Sequence, residues 1–186
     1  MDLGQLLETS GAVLRGHFRL SSGRHSDVYF EKFRVLEQPQ VLSVLCAEIA
    51  AAFRGKGIDL VAGPTTGGII IAFEVARQMG LPAVYVETEN GRKTLRRGAQ
   101  IAPGAKVLTV DDVLTTGLSV RETMTAVQEF GGVPSGVGVL IDRSDLPVDF
   151  GVPLFASYRV EGQTFAEDEV PDWLHAVPVT KPGTRK

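Results

Sequence analysis

Val107-Leu108-Thr109-Val110-Asp111-Asp112-Val113-Leu114-Thr115-Thr116-Gly117-Leu118-Ser119 joins an apolar run to two adjacent acids and a small, glycine-containing turn. Residues 106–110 are apolar and β-branched enough for a buried parallel strand, and Asp111 is expected to end it. Ser119 followed three residues later by Glu122 forms a capping box, which predicts a helix from that point to Gly131-Gly132 with Met124, Val127 and Phe130 on its core face. Between strand and helix, the amides of Thr115, Thr116 and Gly117 fall where unpaired N–H groups and the positive end of the helix dipole favour a phosphate, with no lysine required. Side chains alternate along a strand, so Asp111 and Asp112 serve one ligand only if the chain bends there. Two carboxylates so close also demand a cation or hydroxyl donors. A ribose diol with Mg²⁺ supplies both, whereas a bare Asp-Asp pair is equally explained by a strand-end turn that caps the next helix.

Working outward, the same strand–loop–helix pattern recurs. Residues 39–53 have a helical period that Gly55 and Gly57 end, and residues 58–62 read as a buried strand. The loop Gly63-Pro64-Thr65-Thr66-Gly67-Gly68 leads into a helix over 69–79 that Gly80 stops. A strand over 82–86, a polar loop over 87–102 and a strand over 133–141 complete the pattern. Toward the start, Leu3, Leu6, Leu7 and Leu14 suggest a short amphipathic helix, and strand-like pieces around 18–20 and 28–33 flank a Ser-Ser-Gly-Arg turn. Such alternation implies an α/β fold, a mostly parallel central sheet with helices on both faces, carrying a small N-terminal hood. Ligands gather outside the carboxyl ends of strands in such sheets, and both Thr/Gly loops and Arg143 fall at that edge.

With 186 residues and 44% hydrophobic content, the chain is long enough for one well-buried core and is read as a single domain. Within it, residues 1–36 form the hood, 37–160 the core and 161–186 a tail. A net charge of -3 excludes a global attraction to nucleic acid or to an anionic membrane, so any basic site must be local. Cys46 sits in the helical pattern of Val41, Val44, Leu45, Ala47 and Ile49, where a small buried hydrophobe is the expected role. With no signal-like apolar start and no span of about 18 apolar residues, a cytoplasmic protein is expected.

The loop over 63–68 can offer several backbone N–H groups to an anion such as pyrophosphate, because its glycines allow close approach and a helix starts at once. It lacks the Lys-Ser/Thr ending of a Walker A loop. Arg92, Lys93, Arg96 and Arg97 place four cations in six residues of the polar loop. Such a run is either a solvated surface or, in a loop this long, a functional lid. His17, His25 and His175 lack the spacing of a metal site and are expected to be structural or exposed.

Four apolar residues, two acids, two apolar residues, Thr-Thr-Gly, any residue and Ser resemble the phosphoribosyl pyrophosphate fingerprint of the type I phosphoribosyltransferases. Three further segments narrow the likeness: Phe18-Arg19-Leu20-Ser21-Ser22-Gly23-Arg24-His25-Ser26, the loop over 63–68, and Ile141-Asp142-Arg143. In that order they resemble the orotate phosphoribosyltransferases across residues 1–160, and Pro178-Val179-Thr180-Lys181-Pro182-Gly183 resembles the end of some bacterial members. The resemblance implies the type I phosphoribosyltransferase fold and transfer of the phosphoribosyl group of phosphoribosyl pyrophosphate to orotate in pyrimidine synthesis. It also implies a homodimer with shared active sites and a requirement for Mg²⁺, held through phosphoribosyl pyrophosphate and water near Asp111 and Asp112.

Carried over residue by residue, the resemblance makes Asp111, Asp112, Arg92, Lys93 and Arg96 catalytic. Those five bind phosphoribosyl pyrophosphate together with Val113, Leu114, Thr115, Thr116, Gly117, Leu118, Ser119, Thr65, Thr66 and Gly67. Ser21, Tyr29, Phe30, Thr115 and Arg143 contact orotate, with Arg143 pairing its carboxylate, a grip that rejects uracil. The basic loop is implied to be a mobile lid that closes over the pyrophosphate and reaches into the neighbouring subunit's site. The chain departs from the family at Arg97, where many members have histidine, and at Ser21 and Gly67, where lysines are common. Their charge is then expected from Arg24, Lys32 or the lid. Two alternatives share the fold: transfer to a purine or another base, and a non-catalytic sensor of phosphoribosyl pyrophosphate.

Overall fold

The apolar segments sort into strands and helices in the order that their periods dictate. The computed structural model describes residues 2–20, 22–96, 98–160 and 162–181. In chain order the elements begin with α1 (Leu3–Thr9), β1 (Val13–Arg19), β2 (His25–Phe30), α2 (Lys32–Leu36), α3 (Pro39–Phe53), β3 (Leu60–Pro64) and α4 (Gly67–Met79). There follow β4 (Ala83–Glu89), β5 (Arg92–Leu95), β6 (Lys106–Leu114), α5 (Leu118–Glu129) and β7 (Val133–Asp142). The last are β8 (Leu154–Arg159), β9 (Thr164–Phe165), α6 (Asp172–His175) and β10 (Val179–Thr180). They fall into two units, Pro39–Arg159 and a smaller one made of Met1–Gln38 with Val160–Lys186.

In the larger unit six strands pair in the order β5-β4-β3-β6-β7-β8, all parallel except the β4–β5 hairpin. Leu60, Ala62 and Val107 pack with Ala126 and Val127 of α5. The alternate positions face α3 and α4: a Cβ on Gly63 would lie 3.0 Å from Ala72, and one on Gly138 would lie 2.5 Å from Ile49. Helices therefore cover both faces, as the alternating pattern required. Small residues at Gly136 and Gly138 are explained by the same contacts, because Phe53 and Ile49 of α3 press directly on β7.

Several boundaries differ from the expected ones. Asp111 does not end the fingerprint strand; β6 continues to Leu114, paired in even register with β7 through Asp111↔Val139, Val113↔Ile141 and Leu114↔Asp142. The expected polar loop over 87–102 instead extends β4 to Glu89 and turns through Asn90-Gly91 into β5. Both turn residues have positive φ, 50° and 78°, which is the type I′ geometry that Asn-Gly favours in a two-residue hairpin. On α5 the buried residues are Val120, Thr123, Ala126 and Val127, whereas Phe130 is exposed.

The smaller unit is a four-stranded sheet, β10-β1-β2-β9, in which the chain's two ends share one set of hydrogen bonds. β1 and β2 form an antiparallel hairpin, β9 extends it beside β2, and β10 runs parallel to β1. Leu14 lies in β1 and not in the first helix, and Phe33 belongs to α2 and not to a strand. All three histidines gather here: His17 and His25 lie 2.6 Å apart, ring nitrogen to ring nitrogen, and His175 meets His17 edge-on. Among the described residues, no helix is long and apolar enough to cross a membrane.

One partly buried cluster ties α4 to α3. Glu74 accepts from Ser43 of α3 at 2.7 Å, from Gln78 at 2.7 Å and from Arg77 at 2.8 Å. The Arg77 hydrogen bond is the main cause that holds the Glu74 carboxyl at about 2, below its ordinary 4.5. A depressed acid contributes stability above its unfolded value and loses it as the pH falls through its folded value. Glu74→Gln is therefore expected to lower stability near neutral pH, with the deficit closing from 4.5 toward about 2. Urea midpoints measured across that range check the sign, and a deficit that does not change with pH would refute it.

Candidate active site

The loop that leaves β6 turns at Gly117, which has φ 79° and serves as the N-cap of α5. A Cβ there would stand 2.9 Å from Phe150 and 3.0 Å from Val148, so glycine is required both by conformation and by space. Ser119 consequently falls inside the first turn and does not cap the helix, contrary to the capping-box reading. The turn is braced instead by the Leu118 amide donating to Thr116 Oγ1 at 3.4 Å. The first amides of a helix have no intrahelical acceptor, and here they open on a cleft of about 290 Å³. Asp111, Thr115, Thr116, Gly117, Ser119 and Glu122 are among its lining residues, and the Thr115 and Thr116 side chains are exposed.

Because β6 runs on without a break, the two acids point to opposite faces of the sheet. Asp111 takes the α5 face and lines the cleft, where it accepts from the Ser119 hydroxyl and from the Asp112 amide at 2.9 Å. Burial, followed by the neighbouring Asp112, pushes the Asp111 carboxyl above its ordinary 3.8. Asp112 takes the face that α4 covers, and its Oδ1 accepts from the Val113 amide at 2.7 Å. No bend brings the pair onto one face. Each acid addresses a different side of the strand end.

On the α4 side, β3 ends in the second loop, directly beside β6. Gly63 and Gly68 approach so closely that a Cβ on the first would strike the Gly68 carbonyl, and one on the second would lie 2.5 Å from Pro64 Cδ. The Thr65 amide is not available to a ligand, since it donates to Val86 O at 2.9 Å. Thr66 is the N-cap of α4, the Thr65–Thr66 peptide is cis, and both threonine side chains are exposed. The amides that follow, from Gly67 onward, form the helix N-terminus on which an anion can rest.

The cations of the expected lid are engaged within their own chain. Arg92 pairs with Glu129 at 2.5 Å, and Arg96 pairs with Glu87 at 3.4 Å and with Glu89 at 3.5 Å. Lys93 is half-buried, and its Nζ donates to Ser119 Oγ at 2.6 Å and to Ser119 O at 3.3 Å. Burial pushes this ammonium below the usual lysine range, against the pull of Asp111, Glu122 and Asp112. The phosphate loop was expected to work without a lysine, yet the fold delivers one to it.

Arg143 follows β7 directly, and its amide donates to Leu114 O at 2.8 Å, tying it to the end of β6. Behind it, Asp142 accepts from the Ser144 amide and hydroxyl and pairs with Arg159 at 3.5 Å. Tyr29 and Phe30 lie on β2 in the smaller unit. Phe30 is only 5% exposed, a core residue, and the Tyr29 ring stands 5.7 Å from Phe18. Ser21 and Arg97 lie outside the described residues. Sequence reasoning missed Glu122 as a cleft residue, because it was assigned to a cap, and missed Phe150 and Val148, which touch Gly117 from some thirty positions away.

Two amide-rich loops on adjacent parallel strands, with an acid pair between them, define a phosphoribosyltransferase, and residues 34–149 match the phosphoribosyl transferase domain family. The chain is 49% identical to the orotate phosphoribosyltransferase of Pelotomaculum thermopropionicum, covering 100% of this chain and 97% of that one. It is 45% identical to the orotate phosphoribosyltransferase of Desulforamulus reducens, with the same coverage. Its fold matches the crystal structure of orotate phosphoribosyltransferase from Aeropyrum pernix with a TM-score of 0.73 and 30% identity, over 85% of this chain and 93% of that one. The chain belongs to the orotate phosphoribosyltransferase family.

The buried Asp111 carries a measurable cost. An acid whose folded value is raised destabilises the fold when ionised, so the penalty is absent below 3.8 and complete above the raised value. Asp111→Asn is expected to raise the thermal midpoint at neutral pH, with the gain vanishing as the pH falls to 3.8. Melting curves of both proteins across that range decide it, and an unchanged or lowered midpoint at pH 7 counts against the burial argument.

Proposed function

We propose that this chain transfers the phosphoribosyl group of phosphoribosyl pyrophosphate to orotate, releasing orotidine 5′-phosphate and pyrophosphate, in the pyrimidine synthesis of the cytoplasm. The observation that carries the reading is the pairing of β3 with β6, which sets two helix N-termini side by side on opposite faces of one strand end. A ribose lying across that end has its 5′-phosphate on the Thr115–Ser119 turn and its pyrophosphate on the loop from Thr65 to Gly67. Asp111 and Asp112, one on each face, then flank the ring, bind its hydroxyls and offset the positive charge that develops as the C1–pyrophosphate bond lengthens. The orotate ring nitrogen attacks C1, and no covalent enzyme intermediate is needed. Catalysis is positioning and electrostatics.

Mg²⁺ fits this donor set. Carboxylate oxygens suit a hard cation, and among the described residues no cluster of three or more acids, histidines or cysteines could hold a metal alone. The remaining ligands would be phosphate oxygens and water, and the ion would supply charge to the leaving pyrophosphate. For orotate, the Arg143 guanidinium is the carboxylate partner, a planar fork for a planar anion. A homodimer is supported by an apolar face on α4, where Ile70 and Phe73 are exposed by 42% and 65%.

Purified protein with phosphoribosyl pyrophosphate and Mg²⁺ is expected to consume orotate, followed by its absorbance, and to leave uracil, adenine and hypoxanthine unchanged. Turnover of a purine instead would replace the base assignment, and ligand binding without turnover would make the chain a sensor. In the same assay Asp112→Asn is expected to lower turnover by at least about tenfold, roughly 1.4 kcal/mol of barrier. Wild-type turnover in that variant would remove Asp112 from the mechanism.

A further inference from the structure

We propose that Asp142 and Arg159 are positioning residues for the base: together with Ser144 they clamp the turn that carries Arg143, and so set the direction from which its guanidinium meets the orotate carboxylate. The inference rests on the phosphoribosyl transfer reading and adds the residues that hold the base-recognising arginine in place. Arg143 is the first residue beyond β7, where the sheet no longer dictates the path of the chain. An arginine side chain is long and loses much rotamer freedom on binding, so a bidentate grip is costly unless its backbone is fixed before the base arrives.

The turn is held on three sides. Toward β6, the Arg143 amide donates to Leu114 O at 2.8 Å, one step beyond the last register pair, Leu114↔Asp142. Within the turn, Asp142 Oδ1 accepts from the Ser144 amide at 2.9 Å and from the Ser144 hydroxyl at 2.7 Å, which closes a ring around Arg143. Toward β8, Arg159 stands opposite Asp142 in the ladder and spans the same turn. Its Nη1 pairs with Asp142 Oδ2 at 3.5 Å, and its Nη2 donates to Ser144 O at 3.4 Å. Residues 142 and 144 are thereby tied to each other and to β8, and residue 143 to β6. Asp142 and Ser144 are buried, whereas the Arg159 side chain is 59% exposed. The inner contacts are shielded from water and carry most of the restraint, and Arg159 adds to them from the surface.

Three variants take the clamp apart by degrees. Asp142→Ala removes its centre, Asp142→Asn keeps an acceptor for Ser144 and loses only the charge, and Arg159→Met removes the outer tie while keeping the stem. In steady-state assays below each melting midpoint, Asp142→Ala is expected to raise the KM for orotate at least about tenfold, with the KM for phosphoribosyl pyrophosphate within about twofold of wild type. Asp142→Asn is expected to return the orotate value to within about threefold of wild type, and Arg159→Met to raise it by about threefold, as befits an exposed pair. A residue that merely stabilises the sheet end would move both KM values together or neither, and either result overturns the proposal.

If Asp142→Ala does not fold, Arg159→Met decides alone: a rise confined to orotate supports the clamp, and an unchanged KM for orotate overturns it. The reaction reading fails separately, in the wild type, when no orotate is consumed. Calorimetry of orotate binding in the presence of phosphoribosyl pyrophosphate and Mg²⁺ then decides the clamp. Weakening by at least about tenfold in Asp142→Ala sustains it without the reaction, whereas equal affinities, or no binding by the wild type, overturn it.

Discussion

The parallel pairing of β3 with β6, Leu60↔Val107, Val61↔Leu108 and Ala62↔Thr109, is the constraint on which the site depends. The two strands are more than forty residues apart in sequence, and the chain reverses its order across the sheet between them. At such a switch point the loops leave in opposite directions, one to α4 and one to α5, and a crevice opens between them. Neither loop needs a lysine of its own to bind an anion, because each ends on the unpaired amides of a helix. The sheet thus fixes where charge is recognised, and loop composition fixes only how closely the backbone approaches. That is the reason for Gly63 and Gly68 in one loop and Gly117 in the other.

Against this frame the acids carry the energetic cost. Asp111 and Asp112 are adjacent and both nearly buried, at 6% and 9% exposure, an arrangement that repulsion and desolvation disfavour. Strand alternation eases it by sending the carboxylates to opposite faces. Local donors ease it further: Asp111 receives the Asp112 amide and the Ser119 hydroxyl, and Asp112 receives the Val113 amide. Lys93 adds a positive charge on the Asp111 side. These contacts offset part of the cost of burying the two carboxyls, and on the proposed reading a ribose diol with a hydrated Mg²⁺ would offset more of it.

Much of this was legible in the sequence, for physical reasons. Buried parallel strands are apolar runs, so β3, β6 and β7 announced themselves, and α3 was placed to the residue because Pro39 opens it and Gly55 closes the turn beyond it. The ends of elements were harder. Ser119 and Glu122 have the spacing of a capping box, yet the left-handed conformation of Gly117 starts the helix two residues earlier. The Asn90-Gly91 turn is a strong hairpin signal, but the four cations that follow it drew the reading to a loop. Backbone pairing with β4 and the burial of Leu95 against Ala126 and Val127 make that segment a strand, and partners some thirty residues along the chain leave no local pattern. Strands of two residues, β9 and β10, are too short to show a period at all.

The distribution of charge separates recognition from attraction. With a net charge of -3, the chain has no broad positive field to draw in a polyphosphate. Nor does its basic run supply one, since Arg92 and Arg96 are paired with carboxylates at the surface, where such pairs screen each other. On the proposed reading, affinity for the phosphates comes from contacts within a few ångströms, such as helix amides and threonine hydroxyls. Groups of this kind act only on a ligand that is already within reach, because a hydrogen bond weakens steeply beyond about 3.2 Å.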